Sequence, residues 1–508
     1  MTSTGGGLGR RLAANTLHAA TGRVASLLLW LALTPPIYRA LGAEGFAVWS
    51  LFFALAGYLG SLDLGLATGA VRHVAAARAR GDHKAAGGFA TVAVIGYAVL
   101  GIVWLALMPL VRGPVLEFLR VPESARAAAS FAFLAGAAVF VLAGLANTTI
   151  AVLQAYGRFD LGNVTALTLT LGQAAGLVWS LTHQGGVQGV VAATAAGWGL
   201  AALVGAVALR TGAPEFAWSA PRDAFGQLAE SVRFGAPMQL GNMMAVAHQQ
   251  LDKVLLARFV SLAAVAPYEL GLRMATAAST FPQLLLLAVI PSASALHASG
   301  EGERLRELYA RSNRYILMAS AFVTAGLVAG APRFFCAWLG HADDAAALAL
   351  RGLLLAAYAG LTTGMAIAVA RAYGRTDLEA EFSAIALAVH LALGAWLVPS
   401  HALIGALIAV TAGNVVGAAW FLSRVAGVAG WPRARMLLEP LGVPSLSLAL
   451  GVAVALVLDR ALPAALGAAA WPGALLVGVL AGALAVAVAL LTRYLSLDEA
   501  RALVRPRA

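Results

Sequence analysis

The sequence is poor in the residues on which most soluble chemistry depends. Its one cysteine, Cys336, excludes an internal disulfide framework and any cysteine-based metal cluster. Only two lysines occur, Lys84 and Lys253, and neither follows a glycine, so there is no Walker A phosphate loop. HExxH and CxxC are absent, and no GxSxG stands in a credible nucleophile elbow. Charged residues make up 11% of the 508 positions, and the polar stretches are too short to hold a separate catalytic domain. A membrane glycosyltransferase or polymerase would normally need a polar loop for its sugar acceptor, and none is present.

Hydrophobic residues fill 61% of the chain, with a mean hydropathy of +0.83. The solvent for such a surface is lipid. A hydrocarbon core of about 30 Å takes roughly 20 apolar residues per helix. Fourteen apolar runs occur, centred near residues 27, 57, 98, 140, 171, 198, 246, 280, 320, 357, 388, 412, 449 and 481. Runs such as Leu284 to Ile290 do not alternate polar with apolar, as membrane β-strands would. The expected fold is an all-α polytopic integral membrane protein of about fourteen transmembrane helices. The first run is no cleavable signal, although Arg10 and Arg11 precede it, because it is too long and Arg23 interrupts it.

The net charge of +11 would suggest nucleic acid in a soluble protein, but its distribution fits membrane topology. With both termini inside, the inner loops and tails collect about 23 of the 34 basic residues, and the outer loops about eight. Arg72, Arg78, Arg80, Lys84, Arg304, Arg306, Arg311 and Arg314 all fall on the inner side.

Ala155–Leu161 reads AYGRFDL and Ala372–Leu378 reads AYGRTDL, an offset of 217. Downstream, Gly189, Ala196 and Gly197 fall opposite Gly405, Ala412 and Gly413 at an offset of 216; upstream, Arg39 and Trp49 fall opposite Arg258 and Tyr268 at 219. A period this long, with small indels, indicates two structural halves. Six spans separate the paired segments, so both lie on the cytoplasmic side and the repeats are parallel. The expected organisation is a six-helix lobe over residues 1–210, a cytoplasmic linker over 211–230, a second six-helix lobe over 231–425, and two appended helices with a basic tail over 426–508. Within each repeated segment, the glycine is expected to end one helix in a left-handed cap and the aspartate to cap the next.

Ionisable residues inside spans are the default functional candidates, since each is costly in lipid. Counting at ~1.5 Å per residue places Arg23 about 18 Å from the inner end of its helix and Arg273 about 15 Å from the outer end of its own, both near the midplane. His18 lies deeper toward the cytoplasm, Asp63 at an inner mouth, and His248, Asp252 and Lys253 in the outer half of helix 7. Blander readings stand beside these: Glu269 with Arg273 and His248 with Asp252 are four apart and form candidate self-neutralised pairs. Lys253 is placed to snorkel to the outer interface, and Asp63 to pair with an interfacial cation. Arg23 has no acidic residue within a turn of its own helix. Midplane guanidiniums suit an anion, because they stay charged when partly desolvated and grip phosphate in a bidentate fork.

Tyr38-Arg39-Ala40-Leu41-Gly42-Ala43-Glu44-Gly45-Phe46, then Asp63-Leu64-Gly65-Leu66, then Tyr156-Gly157-Arg158, resemble the polysaccharide flippases of the Wzx type. Their superfamily also holds the multidrug and toxic compound extruders and the lipid II flippases. The resemblance implies paired six-helix bundles that open a central cavity alternately to each side. It implies movement of undecaprenyl-diphosphate-linked oligosaccharide from the inner to the outer leaflet of the bacterial plasma membrane, for polysaccharide or O-antigen biosynthesis. Lipid II flippases hold the diphosphate with arginines of helices 1 and 8, and Arg23 and Arg273 fall approximately at those positions. By their depth and charge His18 and Lys253 are candidates for the substrate cavity, and Asp63, Asp252, His248 and Arg72 for gating or coupling; the resemblance implies that the appended helices offer a groove for the lipid tail. No cofactor is implied beyond a coupling proton or sodium ion. Partners are the lipid-linked glycan, membrane lipids, and a polymerase with its chain-length machinery, without nucleic acid. A cation-coupled multidrug extruder of the same fold and a membrane glycosyltransferase or polymerase remain the alternatives.

Overall fold

The computed structural model describes residues 5–61, 66–439, 441–461, 470–492 and 494, for some of them the backbone only. They form helices throughout, with no strand among the described residues. The first half runs through α1 (Gly5–Ser61), α2 (Leu66–Ala79), α3 (His83–Phe118), α4 (Glu123–Ala155), α5 (Phe159–Thr182) and α6 (Gly186–Gly212). Then come α7 (Pro221–Phe259), a single 3-10 turn (Leu262–Ala264), α8 (Val265–Ala298), α9 (Gly302–Leu339), α10 (Asp344–Leu361), α11 (Gly364–Ala372) and α12 (Asp377–Ala429). The chain closes with α13 (Arg433–Leu438), α14 (Val443–Ala461) and α15 (Ala470–Leu491). Among the described residues, eight helices are long and apolar enough to cross a membrane on the strictest reading.

Two helices are too long for one crossing. α1 has 57 residues, about 85 Å at 1.5 Å per residue, and it breaks at Gly42, with φ 65° and ψ 179°. α12 has 53 residues and breaks at Ala402, with φ 46° and ψ −125°. Each is therefore two passes joined without a loop. Counting the second part of α1 with α2 as one pass and α10 with α11 as another, and leaving out the six-residue α13, the helical passes among the described residues number about fourteen, in agreement with the apolar runs.

The breaks repeat like the sequence does. An offset of 219 carries Gly42 to Ser261, where α7 gives way to the 3-10 turn and Ser261 Oγ accepts from Ala264 N at 3.2 Å. An offset of 216 carries Gly186, with φ 57°, to Ala402, with φ 46°. The same left-handed position is thus a glycine in one half and an alanine in the other.

By contacts the chain divides into two compact units, Met1–Ala266 and Pro267–Ala508. In the first, Val74 and Ala77 of α2, Phe89 of α3, Val152 and Leu153 of α4, and Leu209 of α6 form one buried cluster. In the second, Met365 and Val369 of α11 pack with Ile316 of α9 and with Phe421 and Val425 of α12. α14 and α15 dock on α9 through small residues, Ala321, Ala325 and Ala329 against Ala481, with Leu448 and Tyr358 beside them. At this crossing a Cβ added to Gly326 would meet the Gly478 carbonyl oxygen at 2.9 Å, so only glycine allows the approach. Large apolar side chains remain on the outside, among them Ile102 at 65%, Leu110 at 73% and Trp396 at 73% exposure. That belt needs lipid to cover it.

Candidate functional site

The charges expected to do the work lie on α1, α2, α7 and α8. His18 and Arg23 belong to the helical backbone of α1, but their side chains lie outside the described residues, and so does the whole of Asp63. Arg72 is exposed on α2.

α7 carries buried polar groups along its length that an apolar span would exclude. Asp252 is 0% and Lys253 3% exposed, Gln239 is 7% exposed, and His248 is half-buried. Asn242 Nδ2 donates to Gln239 Oε1 at 3.2 Å. Neighbouring positions on a helix point about 100° apart, so Asp252 and Lys253 enter different surroundings, and each has a partner there. The expectation that Lys253 snorkels to the outer interface is not met. Its side chain is enclosed by protein, and a buried ammonium is stable only where polar groups receive it.

On α8, Arg273 Nε donates to Glu269 Oε1 at 2.8 Å, with side-chain exposures of 18% and 7%. The blander reading of Arg273 is therefore the one adopted in this conformation. Breaking a buried pair by deleting one partner leaves a charge in low dielectric, at about 3–5 kcal/mol. Arg273 is the more exposed member of the pair.

The paired segments form two nearly identical turns. Gly157 and Gly374 carry φ 77° and φ 71°, the left-handed caps expected of them. Arg158 N donates to Leu153 O at 2.8 Å, and Arg375 N donates to Ala370 O at 2.8 Å, the long 6→1 bond that closes a helix end of this type. The aspartates differ from expectation. The N-cap positions are Arg158 and Thr376, neither with a side-chain cap, while Asp160 and Asp377 sit in the first turn and pair with the arginine two residues earlier, at 2.9 and 2.7 Å. That hydrogen-bonded guanidinium holds each carboxyl below its ordinary range. The arginine can fold back because the left-handed glycine reverses the chain just before it.

Sequence reading missed what covers the tyrosine of each turn. Arg78, at the end of α2, lies over Tyr156, and His297, at the end of α8, lies over Tyr373. The signal was available, since Arg78 and His297 are 219 apart, the upstream offset of the repeat. It also missed the buried Asn313 and His390, both 0% exposed, and a forked pair in which Arg371 Nε and Nη2 donate to Glu379 at 2.7 and 2.8 Å. No group of three metal-binding side chains occurs among the described residues.

Against solved structures, the fold is similar to an inward-facing multidrug resistance MATE family transporter of the MOP superfamily, with TM-score 0.69 and 17% identity over 80% of this chain and 98% of that one. It is equally similar to the lipid II flippase MurJ in an inward closed conformation, with TM-score 0.69 and 11% identity over 97% of this chain and 100% of that one. A point mutant of the Vibrio cholerae MATE transporter VcmN follows at TM-score 0.59 and 17% identity over 83% of this chain and 97% of that one. At these identities the likeness concerns the fold. A search of curated proteins found no match to the sequence. The sequence profile described as "Polysaccharide biosynthesis protein" matches residues 12–297, more than half of the chain. This multi-pass membrane protein therefore belongs to the polysaccharide biosynthesis protein family and has the fold of the MATE and MurJ transporters.

Proposed function

We propose that the protein is an alternating-access flippase that carries undecaprenyl-diphosphate-linked oligosaccharide from the inner to the outer leaflet of the bacterial plasma membrane, with both termini cytoplasmic. The observation that carries this reading, beside the family, is how far each likeness extends. The lipid II flippase matches 97% of the chain, whereas the MATE structures match 80% and 83%. A fold extended by α14 and α15 suits a substrate with a long lipid tail, which a soluble drug does not have.

In this reading Arg23 and Arg273 hold the diphosphate, assisted by His18 and Lys253. Arg273 is held by Glu269 before the substrate arrives. Asp63, Asp252, His248 and Arg72 serve gating or the exchange of a coupling proton or sodium ion. With the interior negative, outward movement of each negative charge gains ~2.3 kcal/mol per 100 mV. A polymerase and its chain-length machinery would take up the delivered glycan.

The test is replacement of Arg23 and Arg273 by alanine, singly and together, in cells that display the glycan. Lysine at either position should restore only part of the export, because a point charge lacks the bidentate fork. Unchanged export in the double variant at normal protein level would defeat the assignment. The cation-coupled extruder rests on the MATE likeness and predicts efflux of cationic dyes that depends on Asp63 and ignores Arg23.

A further inference from the structure

Apart from the charges of α7 and α8, a cavity of about 370 Å³ opens where the start of α9 meets α13. Its size lies within the usual range of ligand sites, roughly 300–1,000 Å³. Its lining is balanced in charge: Arg304, Arg306 and Arg435 face Glu303, Glu307 and Glu439. Arg304 also pairs with Glu301. A purely anionic ligand would meet three carboxylates, and a purely cationic one three guanidiniums. A zwitterion with its charges a few ångströms apart satisfies both sets.

The remaining lining sets the depth. Tyr309 is 3% exposed, and its hydroxyl has no hydrogen-bond partner among the described residues. Its ring lies 5.1 Å from that of Trp431, which also lines the cavity. A tyrosine–tryptophan pair of this kind belongs at the headgroup level, with rings toward the acyl region and polar edges toward water. Leu438 and Leu441, on either side of the cavity's Glu439, are 62% and 69% exposed, apolar surface on which an acyl chain could lie. A second cavity, of about 600 Å³, shares Glu303, Arg304, Arg306 and Trp431 and reaches Tyr373. The site thus lies on the membrane face that carries the second repeated turn.

We propose that this cavity binds the headgroup of a zwitterionic phospholipid of the phosphoethanolamine class. The arginines and the Tyr309 hydroxyl take the phosphate, and the carboxylates take the ammonium. Bound there, the lipid ties α13, and with it the approach to α14, to the start of α9. The proposal is independent of what the transporter carries.

The experiment uses the purified full-length protein exchanged into vesicles of equal parts phosphatidylethanolamine and phosphatidylglycerol, then extracted in mild detergent, with retained lipid measured by mass spectrometry. Wild type should retain phosphatidylethanolamine over phosphatidylglycerol by roughly fivefold, and Arg306→Ala/Arg435→Ala should lose roughly tenfold of it, as expected for charge-assisted bonds. Glu303→Gln/Glu439→Gln should reverse the preference toward phosphatidylglycerol, a gain that misfolding does not produce. Three results would overturn the proposal: wild type enriched in phosphatidylglycerol or in neither lipid, both double variants behaving as wild type, or retained lipid displaced by micromolar free phosphoethanolamine or inorganic phosphate, which would mark a soluble ligand.

Discussion

The guanidinium carbon of Arg78 stands 4.6 Å from the ring centroid of Tyr156, and Arg78 Nη1 donates to Ala155 O at 3.3 Å. The same relation recurs in the second half with a different base, 219 residues after Arg78 and 217 after Tyr156, where the His297 ring lies 4.1 Å from that of Tyr373. In each half the basic residue at the end of one helix clamps the turn that ends another. Arg78→Ala should lower stability by about 0.5–1 kcal/mol, the size of a cation–π contact near a surface. His297→Arg should be neutral or stabilising, because it installs the arrangement already used in the first half. Thermal unfolding in detergent, followed by size-exclusion recovery, measures both.

Ala402 occupies a positive-φ backbone position, φ 46° and ψ −125°, where its counterpart, also at positive φ, is the glycine Gly186 with φ 57°. A non-glycine residue held there carries strain of order 1–3 kcal/mol. Ala402→Gly should therefore raise the unfolding temperature, and Gly186→Ala should lower it. The pair of opposite signs is the check, since a general sensitivity of both turns would move them the same way.

The Glu269–Arg273 pair separates structure from transport. Glu269→Ala alone should cost about 3–5 kcal/mol through the uncompensated guanidinium. Glu269→Leu with Arg273→Met, an apolar replacement of the whole pair, should recover stability close to wild type. Glycan export should nevertheless stay lost in that double variant, because the proposed phosphate-binding group is gone.

Acidification should weaken the two turns only at low pH. The carboxyls of Asp160 and Asp377 are lowered by the hydrogen bond from their arginines, so their contribution is present above the ordinary aspartate value, about 3.9, and is lost as pH falls through the lowered folded values. Both groups are largely solvent-exposed, so the effect is small and screened by salt. A variant with Asp160→Asn and Asp377→Asn should show a flatter stability profile below about pH 4 than wild type.

Much of the fold was legible because the solvent is lipid. Apolar runs of about twenty residues can become only a few things in a bilayer, and the paired turns fixed where the halves correspond. The left-handed glycines followed from residue type. The aspartates did not, because capping and pairing with an adjacent arginine use the same carboxylate, and the choice depends on which way the arginine folds. Arg273 posed the same ambiguity: a partner four residues away is reachable on any helix, and only the packing around α8 decides whether it is taken. Lys253 left two readings open, because a long side chain near a helix end can reach the interface or the interior, depending on neighbours that sequence spacing does not reveal. The clamp of Arg78 and His297 joins ends of helices far apart in sequence, and it became visible only through its repetition.

Transport of a guanidinium-held diphosphate through this protein can be followed by measuring surface glycan and inner-leaflet lipid-linked glycan together in cells whose only copy of the protein carries Arg23→Ala and Arg273→Ala. Surface glycan should fall to background while the lipid-linked precursor accumulates inside, at a protein level equal to wild type. Normal surface glycan and no accumulation at that same level would contradict it.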